Sequence, residues 1–201
     1  MDEYWVKNYV NKSCDVNGLA LDIGANVGEW SSLMSKYFKQ VISVEPDPRA
    51  FKELKASTPP SNVICKNAAV SSRSERLSLY LRDSPLQTSL LMEHPIGGCG
   101  AAEAPIVETV DIQTITLDQI ADISDLSIVF IKVDVEGAEE DVLAGATYPI
   151  FSRVKWLIEI HNKEAEVMGQ LKRLGYESPT IIKHPNPAAH PQHFWIYAEP
   201  N

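Results

Sequence analysis

The chain has only three cysteines, Cys14, Cys65 and Cys99, an odd number without metal-ligand spacing. That scarcity argues against a disulfide framework and fits free thiols in a reducing compartment. Basic residues are also few: 18 Lys and Arg stand against 27 Asp and Glu, for a formal charge of −9. No Lys/Arg run reaches the density a phosphate backbone demands, so nucleic acid is not an expected partner. No apolar stretch approaches the ~18 residues of a spanning helix, and the opening residues MDEYWVKNYVNKS lack an apolar signal core. A soluble, cytoplasmic protein with no membrane partner is expected. Repeats and linkers are missing too, and 201 residues with 44% apolar content suit one well-buried domain over 1–201. Nothing in the sequence signals an oligomeric state.

What is present is organised around residues 19–30, LALDIGANVGEW. An apolar run carrying one carboxylate, Asp22, enters a turn with Gly24 and Gly28 and continues into a helical pattern. Gly24 can take a dihedral other residues avoid, Gly28 lets a ligand or strand lie against the backbone, and the new helix offers unpaired N–H groups. Trp30, Leu33, Met34 and Phe38 follow at helical spacing and read as core. Upstream, Tyr4, Trp5, Tyr9 and Val10 suggest a short helix or covering arm within residues 1–18.

Downstream, QVISVE at 40–45 reads as a second buried strand, ended by Pro46-Asp47-Pro48 before a helix bearing Phe51 and Leu54. NVICKNAAV at 62–70 reads as a third strand. Residues 75–118 break the rhythm, because ERLSLYLR and VETVDIQTITL alternate like a half-buried antiparallel pair. Between them, residues 92–105 have the proline, glycine and lack of periodicity of a mobile loop or lid. LSIVFIKV at 126–133 and VKWLIEI at 154–160 are further strands, each followed by a helical segment, and 177–183 and 193–198 close the chain as a terminal pair. Strands alternating with helices predict an α/β domain: a mostly parallel sheet, helices on both faces and an antiparallel C-terminal pair.

In such sheets, ligands bind beyond the carboxyl ends of the strands, where the strand order reverses. Polar residues gather there: Asp22 and Gly24, Glu45, Asn67, Asp134 and Glu136, then Glu159, His161 and Asn162. Any one of these acids taken alone also suits a helix N-cap. Glu45 discriminates, since it ends the second strand about 20 residues after the glycine turn, where a carboxylate accepts both hydroxyls of a ribose. The turn D-I-G-A-N-V-G is not a pyrophosphate loop, and Asp22 would repel a phosphate while suiting an ammonium or sulfonium. The expected ligand is a cationic nucleoside cofactor.

S-adenosylmethionine has that profile, and the chain resembles the class I S-adenosylmethionine-dependent methyltransferases and, more narrowly, the FkbM family. The segments that carry the resemblance are LDIGANVGEWS at 21–31, VISVEPDPRAFKEL at 41–54, NAAVS at 67–71, TSL at 88–90, TLDQI at 116–120, IKVDVEGAEEDVLAGA at 131–146 and IEIH at 158–161. Residues 71–76 depart from it by lacking a turn glycine, and TSL stands where a paired serine is usual.

The resemblance implies a Rossmann-like, seven-stranded domain with defined roles. Asp22, Gly24, Ala25, Asn26 and Gly28 would line the methionine end of the cofactor. Glu45 would hold the ribose, Pro46 and Asp47 would shape the adenosine pocket, and Asn67 and Ala68 would border the adenine. Asp134 would face the transferred methyl group, with Lys132 and Glu136 on the same side of an extended strand. His161 is the favoured general base, because its ordinary pKa is nearest neutrality, with Asp134 or Glu136 orienting it or taking the proton instead. A divalent metal held among Asp134, Glu136, Glu159, His161 and Asn162 is an alternative that is not favoured, and no metal ligand is assigned. His94, His184, His190 and His193 read as solvated or rim residues.

The expected activity is O-methylation of a small-molecule or carbohydrate hydroxyl, with a nitrogen or carboxyl acceptor still open. A nicotinamide-dependent oxidoreductase and a non-catalytic nucleoside-cofactor binding protein are the competing readings.

Overall fold

A computed structural model describes residues 4–57, 60–83, 88–91, 104–161, 163–186 and 194–200. The chain begins with α1 (Tyr4–Lys12), β1 (Asp15–Ile23), α2 (Glu29–Met34), β2 (Phe38–Val44), α3 (Pro48–Ala56) and β3 (Val63–Lys66). It continues through β4 (Ala69–Val70), β5 (Arg76–Arg82), β6 (Ile106–Ile115), α4 (Leu117–Ala121), β7 (Ile128–Val133) and α5 (Glu139–Ala144). A 3-10 turn at Pro149–Arg153, β8 (Lys155–Ile160), α6 (Glu164–Arg173), β9 (Thr180–Lys183) and β10 (Phe194–Ala198) complete it.

Seven strands form one sheet in the order β3-β2-β1-β7-β8-β10-β9. Its first five strands pair in parallel, and β10 runs antiparallel to both β8 and β9. The chain steps outward from β1 to β3 and then returns to lay β7 on the other side of β1. The switch point therefore lies at the carboxyl ends of β1 and β7, and a crevice is expected there.

Strand alternation explains the two layers of core. Leu19, Leu21 and Ile23 pack on one face with Ile131, Val133, Val142, Leu143, Val167 and Leu171. Ala20 faces the other way, into a cluster with Val6 and Val10 of α1 and with Trp30, Met34, Val41, Phe130 and Trp195. Helices thus cover both faces, and α1 is a packed helix rather than a loose arm. Residues 15–18, expected in the N-terminal arm, belong instead to β1, whose pairing with β2 is irregular between Asp15 and Leu19.

The third strand expected at 62–70 is not continuous. β3 ends at Lys66, and Ala69–Val70 passes to a second sheet of order β4-β6-β5. The cause is Asn67, whose amide Nδ2 donates to the Glu45 carbonyl at 2.8 Å and to the Pro46 carbonyl at 3.1 Å, turning the chain out of the main sheet. The antiparallel pair expected within 75–118 is β5 and β6, and it forms this second sheet with β4. Most of the loop expected at 92–105 lies outside the described residues, as do Asn162, His94, His190, His193 and Cys99.

Candidate active site

Glycine geometry fixes the floor of the crevice. Gly24 has a φ of +76°, and a Cβ there would sit 1.7 Å from the Asp134 carbonyl oxygen, so the first turn touches the end of β7. Its amide and that of Ala25 donate to the Val44 carbonyl, binding the turn to the end of β2 as well. The cleft that opens above these three strand ends has about 670 Å³ of empty space, open solvent at its mouth included. Gly24, Asn26, Glu45, Pro46, Ala68, Asp134 and Glu136 line it, together with Thr88, Ser89 and Leu90.

Glu45 closes the β2 side. Its Oε2 accepts from the Asn26 amide and its Oε1 from the Asp47 amide, each at 2.7 Å. Burial pushes this carboxyl up to about 7, and the like charge of Asp47 adds to that, while the two amides and Lys132 act in the opposite direction. Each oxygen keeps a lone pair after accepting one amide, so the group can still accept two hydroxyls from a ligand.

Asp47 does not line the cleft. It caps α3 by accepting from the Arg49 amide at 2.8 Å, and its Oδ2 takes Arg49 Nη2 at 2.7 Å and the Thr88 hydroxyl at 3.0 Å. Burial works against its charge, but the Arg49 and Thr88 donors hold it below the usual carboxylate range.

Asp22 and Lys132 lie beneath the floor rather than on it. Lys132 Nζ donates to the Gly24 carbonyl at 2.9 Å and stands 3.3 Å from both Asp22 Oδ1 and Asp134 Oδ2. Asp22 also accepts the Ser31 hydroxyl at 2.5 Å and is completely buried. Ala25 and Gly28 shape the turn from outside the lining, the latter against Leu54.

The β7 side carries the titratable cluster. Glu136, held at a φ of +54°, lies in the turn after β7 and not in an extended strand, so strand alternation does not place it. Its Oε2 nevertheless lies 3.3 Å from His161 Nε2, and Asp134 Oδ1 lies 3.9 Å from the same nitrogen. The other ring nitrogen, Nδ1, is 2.9 Å from Glu139 Oε1, which also accepts the Gly137 amide. Burial disfavours a charged imidazole, yet Glu136 and Glu139 hold His161 well above the ordinary histidine value. Its ring nitrogens are clamped between two carboxylates that favour the protonated form, just behind the residues that line the cleft.

Ligand atoms of Asp134, Glu136 and His161 fall within 4.8 Å of one another and can hold a divalent ion; Glu159 does not join them. The Lys132 ammonium, and His161 when protonated, balance those carboxylates, which weakens the case for a metal.

Sequence reasoning missed Thr88, Ser89, Leu90 and Glu139 as parts of the site. The TSL segment was the available signal for the first three, although it assigned them no role.

The fold is that of methyltransferases of known structure. FkbM methyltransferase from Methylobacillus flagellatus KT superposes with a TM-score of 0.60 at 18% identity, over 90% of this chain and 43% of that one. This chain thus spans less than half the length of that protein. Precorrin-6y C5,15-methyltransferase from Geobacter metallireducens GS-15 gives 0.55 at 11% identity, over 100% and 90%. SMU.1697c from Streptococcus mutans, solved in complex with SAH, gives 0.57 at 12% identity, over 97% and 96%. No curated protein matches. The family model of the Methyltransferase FkbM domain matches residues 22–178, and the chain belongs to this family. No helix among the described residues is long and apolar enough to cross a membrane.

Proposed function

We propose that this chain binds S-adenosylmethionine in the cleft between β1, β2 and β7 and methylates a hydroxyl of a sugar or another small natural product. The observation that carries the reading is that Glu45 and the pair Asp134 and Glu136 line one cleft across the switch point. When bound, the cofactor supplies an activated methyl group on a cationic sulfur.

The protein's contribution is then to bind, orient and exclude water. Glu45, fixed by two backbone amides, accepts the ribose hydroxyls. Asp134 and Glu136 place negative charge where a sulfonium is accommodated. A hydroxyl acceptor must also give up its proton as the new bond to oxygen forms. An imidazolium already holds its proton, so a carboxylate of Glu136 or Asp134 is better suited to accept it, with His161 orienting Glu136. The base expected from the sequence thereby becomes a positioning group in this proposal.

Thermal shifts with S-adenosylhomocysteine and with NAD test the cofactor. S-adenosylhomocysteine should stabilise the protein, and stabilisation by NAD alone would overturn the reading in favour of an oxidoreductase. Turnover against a panel of sugars and polyols, with His161→Ala and Asp134→Asn beside the wild type, tests the chemistry. Both variants should lose activity. Cofactor binding without turnover on any acceptor would favour a non-catalytic binding protein.

A further inference from the structure

The described segment 88–91 lines the cleft with Thr88, Ser89 and Leu90, and its first two residues are hydrogen-bonded to distant parts of the chain. The Thr88 hydroxyl donates to Asp47 Oδ2 at 3.0 Å and receives Arg49 Nη2 at 3.3 Å. Arg49 extends the same knot to the Arg82 carbonyl at 2.9 Å. Asp47 in turn donates its amide to Glu45, so Thr88 is one residue removed from the carboxylate that faces the ligand. One position along, the Ser89 hydroxyl donates to the Glu136 carbonyl at 2.8 Å. The Ser89 carbonyl accepts the Tyr80 amide at 3.0 Å, docking the segment on β5.

Both side chains are more than nine-tenths buried and both line the cleft. Glu136 occupies the left-handed region, which a non-glycine residue keeps only when its surroundings hold it there. The Ser89 hydroxyl is a contact from outside the turn that does so.

We infer that Thr88 and Ser89 are positioning residues, Thr88 setting the ribose end of the cleft through Asp47 and Ser89 setting the acceptor end through the Glu136 turn. The assignment of the two ends rests on the cofactor reading above; the hydrogen bonds themselves do not. Two neighbouring hydroxyls thereby join the group that grips the nucleoside to the group that meets the acceptor. The two halves of the site are held in one register by a segment that belongs to neither strand end.

The two arms have different signatures. His161 is faced by Asp134 and Glu136 from the turn after β7 and by Glu139 from α5, with Lys132 against Asp134. Displacing the Glu136 turn should therefore lower the histidine titration midpoint, whereas loosening Asp47 should not. The experiment compares Thr88→Val and Ser89→Ala in the full chain. Calorimetry with S-adenosylhomocysteine reports the ribose end. NMR titration of the His161 ring, assigned with His161→Gln, reports the other.

Thr88→Val should weaken S-adenosylhomocysteine binding about fivefold, the effect of one lost hydrogen bond, and leave the His161 midpoint in place. Ser89→Ala should move that midpoint down toward the ordinary value. Thr88→Ser and Ser89→Thr, which keep the hydroxyl, should restore each property. An unchanged His161 midpoint in Ser89→Ala overturns the Ser89 arm. Unchanged affinity in Thr88→Val overturns the Thr88 arm, and equal loss of affinity and thermal stability in both variants reduces the segment to a structural wall. Should the wild type fail to bind S-adenosylhomocysteine, the cofactor reading and the ribose assignment fall together, while the His161 response still decides the role of Ser89.

Discussion

Lys132 Nζ lies 3.3 Å from Asp22 Oδ1, and neither side chain is more than 1% exposed. The carboxylate that the family resemblance would put at the methionine end of a cofactor is thus paired from below with a buried ammonium. That ammonium also ties the glycine turn to Asp134. Removing one partner of such a pair leaves a buried charge uncompensated, at a cost of about 3–5 kcal/mol. Lys132→Met should lower stability by about that amount, and the double variant Asp22→Asn with Lys132→Met should recover part of it. Urea unfolding at neutral pH measures both. A loss in the single variant no larger than an exposed pair gives would show that this contact does not hold the floor of the cleft.

Glu45 makes cofactor binding depend on pH in a direction that can be worked out. Its folded pKa of about 7 lies above the usual 4.5. Its contribution to folding is therefore fully present below the usual value and lost as pH rises through about 7. Ribose hydroxyls donate best to the ionised carboxylate, so affinity should move the opposite way. S-adenosylhomocysteine should bind more tightly above that pH than below it, and Glu45→Gln should bind weakly with a flat profile. Calorimetry at a series of pH values decides between this and a Glu45 that never meets the ligand.

His161 carries a stability linkage of the same sign. Its folded pKa is raised, so the stability gained from its clasp between Glu136 and Glu139 is complete below the ordinary histidine value and disappears as pH rises through the folded one. The thermal midpoint of the wild type should therefore decline toward alkaline pH more steeply than that of His161→Gln. Parallel curves would mean that the imidazole does not hold its extra proton in the folded protein.

The parts of this architecture that are local in sequence were legible before the fold was known. The glycine turn, Glu45 at the end of the following strand, and the runs that become β7 and β8 each depend on neighbours within one βαβ unit. The break after Lys66 was not legible, because it depends on the Asn67 amide reaching two carbonyls more than 20 residues away. Strand alternation placed Lys132 beside Asp134, but it is silent on Asp22, which meets Lys132 across neighbouring strands. Thr88 and Ser89 look like loop residues in a polar segment until Asp47 and Glu136 are brought to them. Glu139 reads as an acid in the first turn of α5, and only the packing of that helix beside the end of β8 gives it His161 as a partner.

The carboxylates near His161 lead to a separate expectation for metal ions. A divalent cation bound by Asp134, Glu136 and His161 would have to displace the imidazolium proton and sit near Lys132. Adding Mg²⁺ or Mn²⁺ should therefore leave the thermal midpoint unchanged, and a chelator should leave turnover unchanged. A clear rise of the midpoint with either ion would restore the metal-assisted alternative.

Gly24 and Gly28 both have positive φ, but they should not be equally sensitive to substitution. An added Cβ at Gly24 meets the Asp134 backbone oxygen at 1.7 Å and its carbonyl carbon at 2.8 Å, and that backbone cannot rotate aside as a side chain can. At Gly28 the nearest atom is Leu54 Cδ1 at 2.5 Å, the far end of a side chain that can rotate. Gly28→Ala should therefore cost roughly 1–2 kcal/mol, mostly from the left-handed backbone, and keep S-adenosylhomocysteine binding. Gly24→Ala should cost about 3 kcal/mol or more and separate the turn from β7, with loss of binding even where the chain still folds. Urea midpoints and calorimetry on the two variants measure the contrast. Equal effects would place the first turn of the site away from the Asp134 carbonyl and remove the geometric basis of the cleft.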